Sequence, residues 1–338
     1  MASESYPPLL RPPVLNHPHL DPKPNPTSQD SSLRIPVIDL EVLDPAALDE
    51  ACREWGVFHL VNHGVPPSTL AQLRDLAAAV FSLPFETKRE SFTSPTSYFW
   101  GTPVLTPSGS PLSRSSRGIN LLEGMNFPLR QLPSLDSRLP LVASFRDLLL
   151  EYGLHMGRIA TSLFQAMAKI LDLDPEHYSG QLSESTGFIR AYRYPRGLAS
   201  GSDEDTPGLV AHTDSSVLAI LLQNQVNGLE VQKDGVDGWI PVDPVPGALV
   251  VNLGDMMQAL SDDLYKSVNH RVRSPPPREE SDRISICYFV FPGEGYVIRS
   301  SKYREFTYEE FQAQVQRDVK TIGEKVGLGR FKKQDAMS

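Results

Sequence analysis

Residues 208–232 read GLVAHTDSSVLAILLQNQVNGLEVQ. Aliphatic and β-branched residues fill two runs, Leu209–Leu222 and Leu229–Gln232, and Asn227-Gly228 between them is a tight-turn signal. Similar short runs lie to either side: Phe188–Tyr194, Trp239–Val242, Ala248–Leu253, His270–Arg273 and Ile284–Phe291, with a second glycine turn at Asp237-Gly238. Many short strands at this spacing predict a sandwich or barrel of the jelly-roll kind.

Upstream of 186 the pattern is different. After a short β-rich run, Ile35-Pro-Val-Ile-Asp-Leu40, Asp44 and Pro45 open a helix through Leu48, Ala51, Cys52 and Trp55 that Gly56 ends. Val57–Val61 reads as a strand. A helix capped by Ser68 follows Pro66-Pro67, and helical spacing returns across 140–171. Residues 91–120 are rich in Ser, Pro, Thr and Gly and read as a long loop of the kind that forms lids or binding sites. Thr307-Tyr-Glu-Glu310 is a capping box for a last helix. The fold class expected is α+β: a jelly-roll core with helices packed around it, largely from the N-terminal half. The organisation expected is a disordered or extended arm (1–33, with eight prolines), a mostly helical region (34–185), the jelly-roll core (186–300), and a C-terminal helix and tail (301–338).

Bulk composition narrows the function. Lys plus Arg is 32 against 41 Asp plus Glu, a net charge of −9, which argues against nucleic acid or an anionic membrane surface as partner. Two cysteines, Cys52 and Cys287, cannot build a disulfide scaffold and form no C-x-x-C pair, so a reducing compartment fits. The N-terminal MASESYPPLLRPPV lacks the uninterrupted apolar run of a secretory signal, and with no run of about 18 apolar residues no membrane span is expected. The expected address is the cytosol, with the nucleus as an alternative.

The chemistry begins at His212-Thr-Asp214. Two residues apart on a strand, side chains point the same way and stand roughly 7 Å apart along the chain, so one imidazole and one carboxylate can share a cation. His19-Leu-Asp21 repeats the spacing, but in the proline-rich arm, where nothing would hold it rigid. The best third ligand is His270, 56 residues beyond Asp214 and at the end of Tyr265-Lys-Ser-Val-Asn-His270. Two imidazoles and one carboxylate form the facial triad of non-haem iron oxygenases, which leaves adjacent positions for an oxoacid and dioxygen. Thirteen residues later comes Arg283-Ile-Ser285 in an apolar β-run. A guanidinium fork and a hydroxyl on one strand face suit a carboxylate, and burial there would demand an anionic partner.

In this order, His-x-Asp, His and Arg-x-Ser resemble the plant 2-oxoglutarate-dependent dioxygenase family. Ile35–Asp39, Glu54–Val65, Leu229–Trp239, Gly247–Asp255 and Tyr265–Arg271 resemble its other blocks, so the similarity runs from about residue 35 to 325. Tyr98–Pro103 and Leu122–Pro128 look most like gibberellin 2-oxidase-like members. The resemblance implies Fe(II) on His212, Asp214 and His270, and 2-oxoglutarate as co-substrate gripped by Arg283 and Ser285 with help from Tyr194. Ascorbate is the expected reductant and dioxygen the oxidant. A ferryl oxidant would then hydroxylate a small plant metabolite, foremost a gibberellin at C-2, which inactivates it. Tyr98, Trp100 and Phe291 are candidate substrate contacts. Another small molecule (an auxin, a flavonoid or an alkaloid precursor) is the alternative substrate. A non-catalytic binding protein that retains the fold is the alternative class. One departure stands out: where the family has Asn-x-Tyr, this chain has Tyr192-Arg-Tyr194.

Overall fold

The structure is a computed structural model that describes residues 3–8, 33–94, 96–101, 120, 122–135, 138–173, 182, 187–197, 207–277 and 279–333. Expectations for the rest of the N-terminal arm and for most of the 91–120 loop lie outside the described residues.

Two sheets carry the fold. The larger has the strand order β1 (Val37–Asp39), β2 (Val57–Val61), β10 (Leu249–Leu253), β7 (Leu218–Gln223), β12 (Arg283–Val290), β5 (Phe188–Tyr194), β4 (Glu123–Pro128) and β3 (Ser97–Trp100). The smaller runs β6 (Pro207–His212), β11 (Asn269–Arg273), β8 (Leu229–Gln232) and β9 (Ile240–Pro241). One apolar cluster joins their facing sides, with Val57, Tyr194 and Val250 from the larger sheet against Val231 and Val272 from the smaller. The other face of the larger sheet is covered by helices, above all the 31-residue α4 (Pro140–Ile170). Its Leu149, Met156 and Leu163 are fully buried, each worth about 1.5–3 kcal/mol relative to exposure. This is the expected α+β jelly-roll with helices packed around it.

Strand β12 lies at the centre and is buried along its whole length. Alternation divides its side chains between two environments. Ile286, Tyr288 and Val290 join the helix-covered core, while Arg283, Ser285, Cys287 and Phe289 turn into a cavity between the sheets.

Local chemistry agrees with the sequence at most element ends. Asp44 accepts from the Ala46 amide at the start of α1 (Pro45–Glu54), and Thr307 and Glu310 form the reciprocal capping box. Three details differ. The second helix starts at Pro67, which places Ser68 inside its first turn with no side-chain cap. The run Leu209–Leu222 is two strands, broken at Thr213–Val217 where the chain crosses between sheets. Ser97–Trp100 of the expected loop is a strand, paired with Glu123–Asn126 of β4.

The N-terminal arm has a docked end. Ser3–Ser5 form one 3-10 turn, and Ser5 and Tyr6 are buried. They sit on a buried charge cluster on the side of β5 away from the cavity. Glu123 receives Lys88 Nζ at 2.5 Å, Arg193 Nη2 at 2.6 Å and the Tyr98 hydroxyl at 2.6 Å. Lys88 also donates to the carbonyls of Ser5 and Phe81. Burial pushes the Lys88 ammonium down to about 8, against the pull of Glu123.

Candidate active site

Cross-strand pairing assembles the three candidate ligands. In the β6–β11 ladder His270 lies directly opposite His212, and their rings stand 4.3 Å apart. Asp214 follows in the turn after β6. Its carboxylate oxygens lie 3.7 Å from His212 Nε2 and 3.8 Å from His270 Nε2. All three donor atoms fall within 4.8 Å of one another.

Each imidazole is oriented by the backbone carbonyl two residues before it. His212 Nδ1 is 2.8 Å from the Val210 carbonyl, and His270 Nδ1 is 3.1 Å from that of Val268. A carbonyl can only accept, so Nδ1 carries the proton and Nε2 offers its lone pair to the centre. Burial, and then the neighbouring His270, push His212 down to about 4, so its imidazole is neutral at pH 7. Burial opposes ionisation of Asp214, but His270, His212 and the Asn252 amide outweigh it and hold the carboxyl below its usual range. Asn252 Nδ2 donates to Asp214 Oδ2 at 2.8 Å.

The turn that presents Asp214 is clamped from two sides. The amides of Gly254, Asp255 and Met256 donate to the carbonyls of Val217, Asp214 and Ser216 at 3.0, 2.8 and 3.2 Å. This approach needs a glycine, because a Cβ on Gly254 would stand 2.1 Å from the Ser216 carbonyl oxygen. From the far end of the chain, Lys325 Nζ donates to Thr213 O (2.8 Å) and Ser215 Oγ (3.0 Å), and pairs with Asp255 at 2.5 Å.

One wall of the cavity is built on the pairing of β12 with β5. Register sets Arg283 opposite Tyr194, Ser285 opposite Tyr192, Cys287 opposite Arg190 and Phe289 opposite Phe188. Arg283 is 1 % exposed. Nη2 donates to Gln223 Oε1 at 2.7 Å, while Nε and Nη1 have no partner among the described residues. The Tyr194 ring stands 5.1 Å from the guanidinium, and its hydroxyl bonds Ser285. A buried cation with free donors, next to a hydroxyl and on the same cavity as the two imidazoles and the carboxylate, fits a small dianionic oxoacid. The donor set itself fits Fe(II).

The candidate substrate contacts fall elsewhere. Tyr98 is bound to Glu123, and Trp100 packs on Tyr6 (5.4 Å) and Arg193 (5.6 Å), in the charge cluster and off the cavity wall. Phe291 lies beyond the end of β12, against Phe289 and Tyr308. Phe289, Arg190 and Tyr192 line the cavity instead, and Phe99 stands edge-to-face with Tyr192 at 6.3 Å. Asn252, Gln223 and Lys325 were not singled out by sequence. Asn252 sits in a block that the sequence does flag, Gly247–Asp255, whereas nothing in the C-terminal segment points to Lys325. His59 and His63 are buried outside the cluster of His212, Asp214 and His270, with His63 Nε2 3.0 Å from the Gly247 carbonyl.

Comparison with known proteins agrees with this geometry. Residues 187–292 match the family model of the 2OG-Fe(II) oxygenase superfamily, and residues 35–121 match that of the non-haem dioxygenase in morphine synthesis N-terminal region. Gibberellin 2-beta-dioxygenase 6 of Oryza sativa subsp. japonica is 36 % identical over 325 residues, covering 90 % of this chain and 86 % of the relative. Gibberellin 2-beta-dioxygenase 8 of Arabidopsis thaliana is 34 % identical, covering 90 % and 89 %. Among solved structures, the rice dioxygenase for auxin oxidation superposes with a TM-score of 0.70 at 25 % identity, covering 89 % of this chain and 100 % of that one. JOX2 in complex with 2OG, Fe and JA gives 0.71 at 27 % identity, covering 90 % and 92 %. With the ligand geometry, the buried arginine and near full-length similarity in agreement, the chain belongs to the 2OG-Fe(II) oxygenase superfamily and is an Fe(II)/2-oxoglutarate-dependent dioxygenase.

Proposed function

We propose that this chain hydroxylates a gibberellin at the 2β position and so inactivates it, with His212, Asp214 and His270 as iron ligands and Arg283, Ser285 and Tyr194 as the 2-oxoglutarate site. The observation that carries the site assignment is that three metal-type donors and a buried guanidinium, with two nitrogens free among the described residues, face one cavity. The substrate assignment is supported by the four gibberellin 2-beta-dioxygenase relatives, at 34–36 % identity.

When bound, iron and 2-oxoglutarate supply activated oxygen, with the oxoacid decarboxylated to succinate. The chain's own residues do the rest. Val210 and Val268 carbonyls fix both imidazoles with Nε2 inward, and Asn252 steers one oxygen of Asp214. Arg283, braced by Gln223, holds the distal carboxylate, and the Ser285 and Tyr194 hydroxyls complete that end. The apolar residues Leu221, Val231 and Phe289 limit water around the reacting carbon. Ascorbate as reductant and a cytosolic location belong to the same reading. The latter is supported by two free, buried cysteines and by the absence of any helix long and apolar enough to cross a membrane among the described residues.

The test is to incubate the purified protein with Fe(II), ascorbate, 2-oxoglutarate and a panel of gibberellins, with an auxin and a flavanone alongside. A product heavier by one oxygen atom from a gibberellin, with succinate in equal amount, is the expected result. Hydroxylation of the auxin or flavanone alone would overturn the substrate assignment.

A further inference from the structure

Two cavities meet on the inner face of β5. The iron-facing one, between the sheets, is about 60 Å³. At roughly 10–15 Å³ of such space per water it holds a few small groups, enough for an oxoacid and not for a fused-ring substrate. The second, about 360 Å³, is lined among the described residues by Phe99, Gly101, Asn126, Arg190 and Tyr192. Arg190 and Tyr192 are the described residues that line both.

Tyr192 is held in that position by three neighbouring strands. Phe99 of β3, Gly124 of β4 and Tyr192 of β5 are successive register partners. Gly124 has no side chain, so the Phe99 ring lies across it and reaches Tyr192, 6.3 Å away in an edge-to-face pair. A Cβ on Gly124 would stand 2.3 Å from Phe99 Cζ, so any other residue there would displace the ring. On the other side the Tyr192 side chain hydrogen-bonds Arg190, whose guanidinium is itself fixed 5.2 and 5.4 Å from the rings of Phe188 and Phe289. Tyr194 follows 6.0 Å on, beside Arg283.

We propose that Tyr192 is a specificity-determining residue of this enzyme: its ring partitions the cavity, so that the substrate body rests in the outer chamber and only an edge of it passes to the iron-facing one. This rests on the oxoacid site assigned above and not on the identity of the substrate. A partition of this kind excludes bulk attached to the oxoacid itself, and bulk can be graded chemically.

The experiment uses full-length protein loaded with Co(II), and calorimetric binding of two 2-oxoglutarate mimics, N-oxalylglycine and N-oxalylphenylalanine. They share the chelating group and differ by a benzyl group. The wild type is expected to bind the bulky mimic at least about tenfold more weakly, the scale on which a shaped apolar site rejects a misfitting group. Tyr192→Ala should bring the two within about threefold while keeping N-oxalylglycine affinity, which also reports an intact fold. Tyr192→Phe, with the ring but not the hydroxyl, should discriminate like wild type. Gly124→Ala, which displaces Phe99, should fall between. Equal discrimination in wild type and Tyr192→Ala would overturn the partition, as would a Tyr192→Ala protein that loses both mimics together, since Tyr192 would then serve the oxoacid directly. Failure of N-oxalylglycine to bind the wild type would instead remove the oxoacid site, and the partition with it.

Discussion

Asn252→Ala removes one hydrogen bond from the candidate metal centre and leaves all three ligands in place. Asn252 sits on β10 between β2 and β7, so its backbone is held by two ladders whatever its side chain does. The amide donates to Asp214 Oδ2 at 2.8 Å, and the Asp214 side chain is only 12 % exposed, so water cannot fully replace it. A hydrogen bond to a charged, part-buried acceptor contributes about 1.5–3 kcal/mol, or roughly tenfold to 150-fold in affinity at 1.4 kcal/mol per decade. The Asp255 amide still holds the Asp214 carbonyl at 2.8 Å, so the carboxylate loses its aim and not its place. Metal affinity should therefore weaken about 10–100-fold, the usual scale for groups that orient a ligand. Protonation does not explain the loss. Asn252 helps to depress the Asp214 pKa, so its removal raises that pKa toward the ordinary carboxylate range, and the group is ionised at pH 7 either way. The accompanying loss of stability belongs to pH above the unfolded carboxylate pKa and vanishes as pH falls through the folded one. The assay is chelator-buffered titration with Co(II) at pH 7, beside thermal melting of the metal-free protein. An affinity within threefold of wild type, about 0.65 kcal/mol, would refute the reasoning. So would a collapse of the metal-free fold, since the residue would then be a packing element first.

Arg283→Lys keeps the charge and loses the fork that reaches Gln223 and has two further nitrogens without a partner among the described residues. The KM for 2-oxoglutarate should rise at least about tenfold with that of the prime substrate little changed, as initial rates of succinate formation would show. Glu123→Gln leaves Lys88 buried without its anion and Arg193 with only Asp282, 3.8 Å away. Urea denaturation should record a loss of about 3–5 kcal/mol, and a loss under 1 kcal/mol would contradict the ion-pair assignment. Burial raises the thiols of both Cys52 and Cys287, so neither should react with a disulfide reagent at pH 8 in the native protein, and both should react once it is unfolded.

The cluster of candidate ligands was legible in sequence because its spacing is local or set by direct pairing. His212 and Asp214 are two residues apart, and Arg283 and Ser285 share one face of one strand. His270 falls opposite His212 by antiparallel register. Which aromatics line the cavities was not legible, for a physical reason. Strand β3 runs Tyr98-Phe99-Trp100, three aromatics in a row, and a one-residue change of parity exchanges their faces. Parity is decided by β4, and β4 hides its alternation because Glu123, a charged residue, is fully buried. That carboxylate is inward only because Lys88 and Arg193, from other elements, meet it there. Tyr98 and Trp100 go with Glu123, and Phe99 alone turns toward Tyr192.

The β12–β5 strand pair divides the labour of the site along its length. Every β12 residue is buried, so burial cannot distinguish its two faces, but chemistry can. Along the cavity face the paired residues pass from Arg283 with Tyr194, through Ser285 with Tyr192, to Cys287 with Arg190 and Phe289 with Phe188. Over those six residues, roughly 20 Å of strand, the wall changes from a carboxylate grip to an apolar surface. Antiparallel pairing makes this gradient rigid, because neither strand can slip without exchanging its helix-side and cavity-side residues. The candidate ligands His212, Asp214 and His270 line the same cavity. In the proposed arrangement, an oxoacid held at the Arg283 end and a substrate body in the outer chamber approach one another past Tyr192, which lines both cavities.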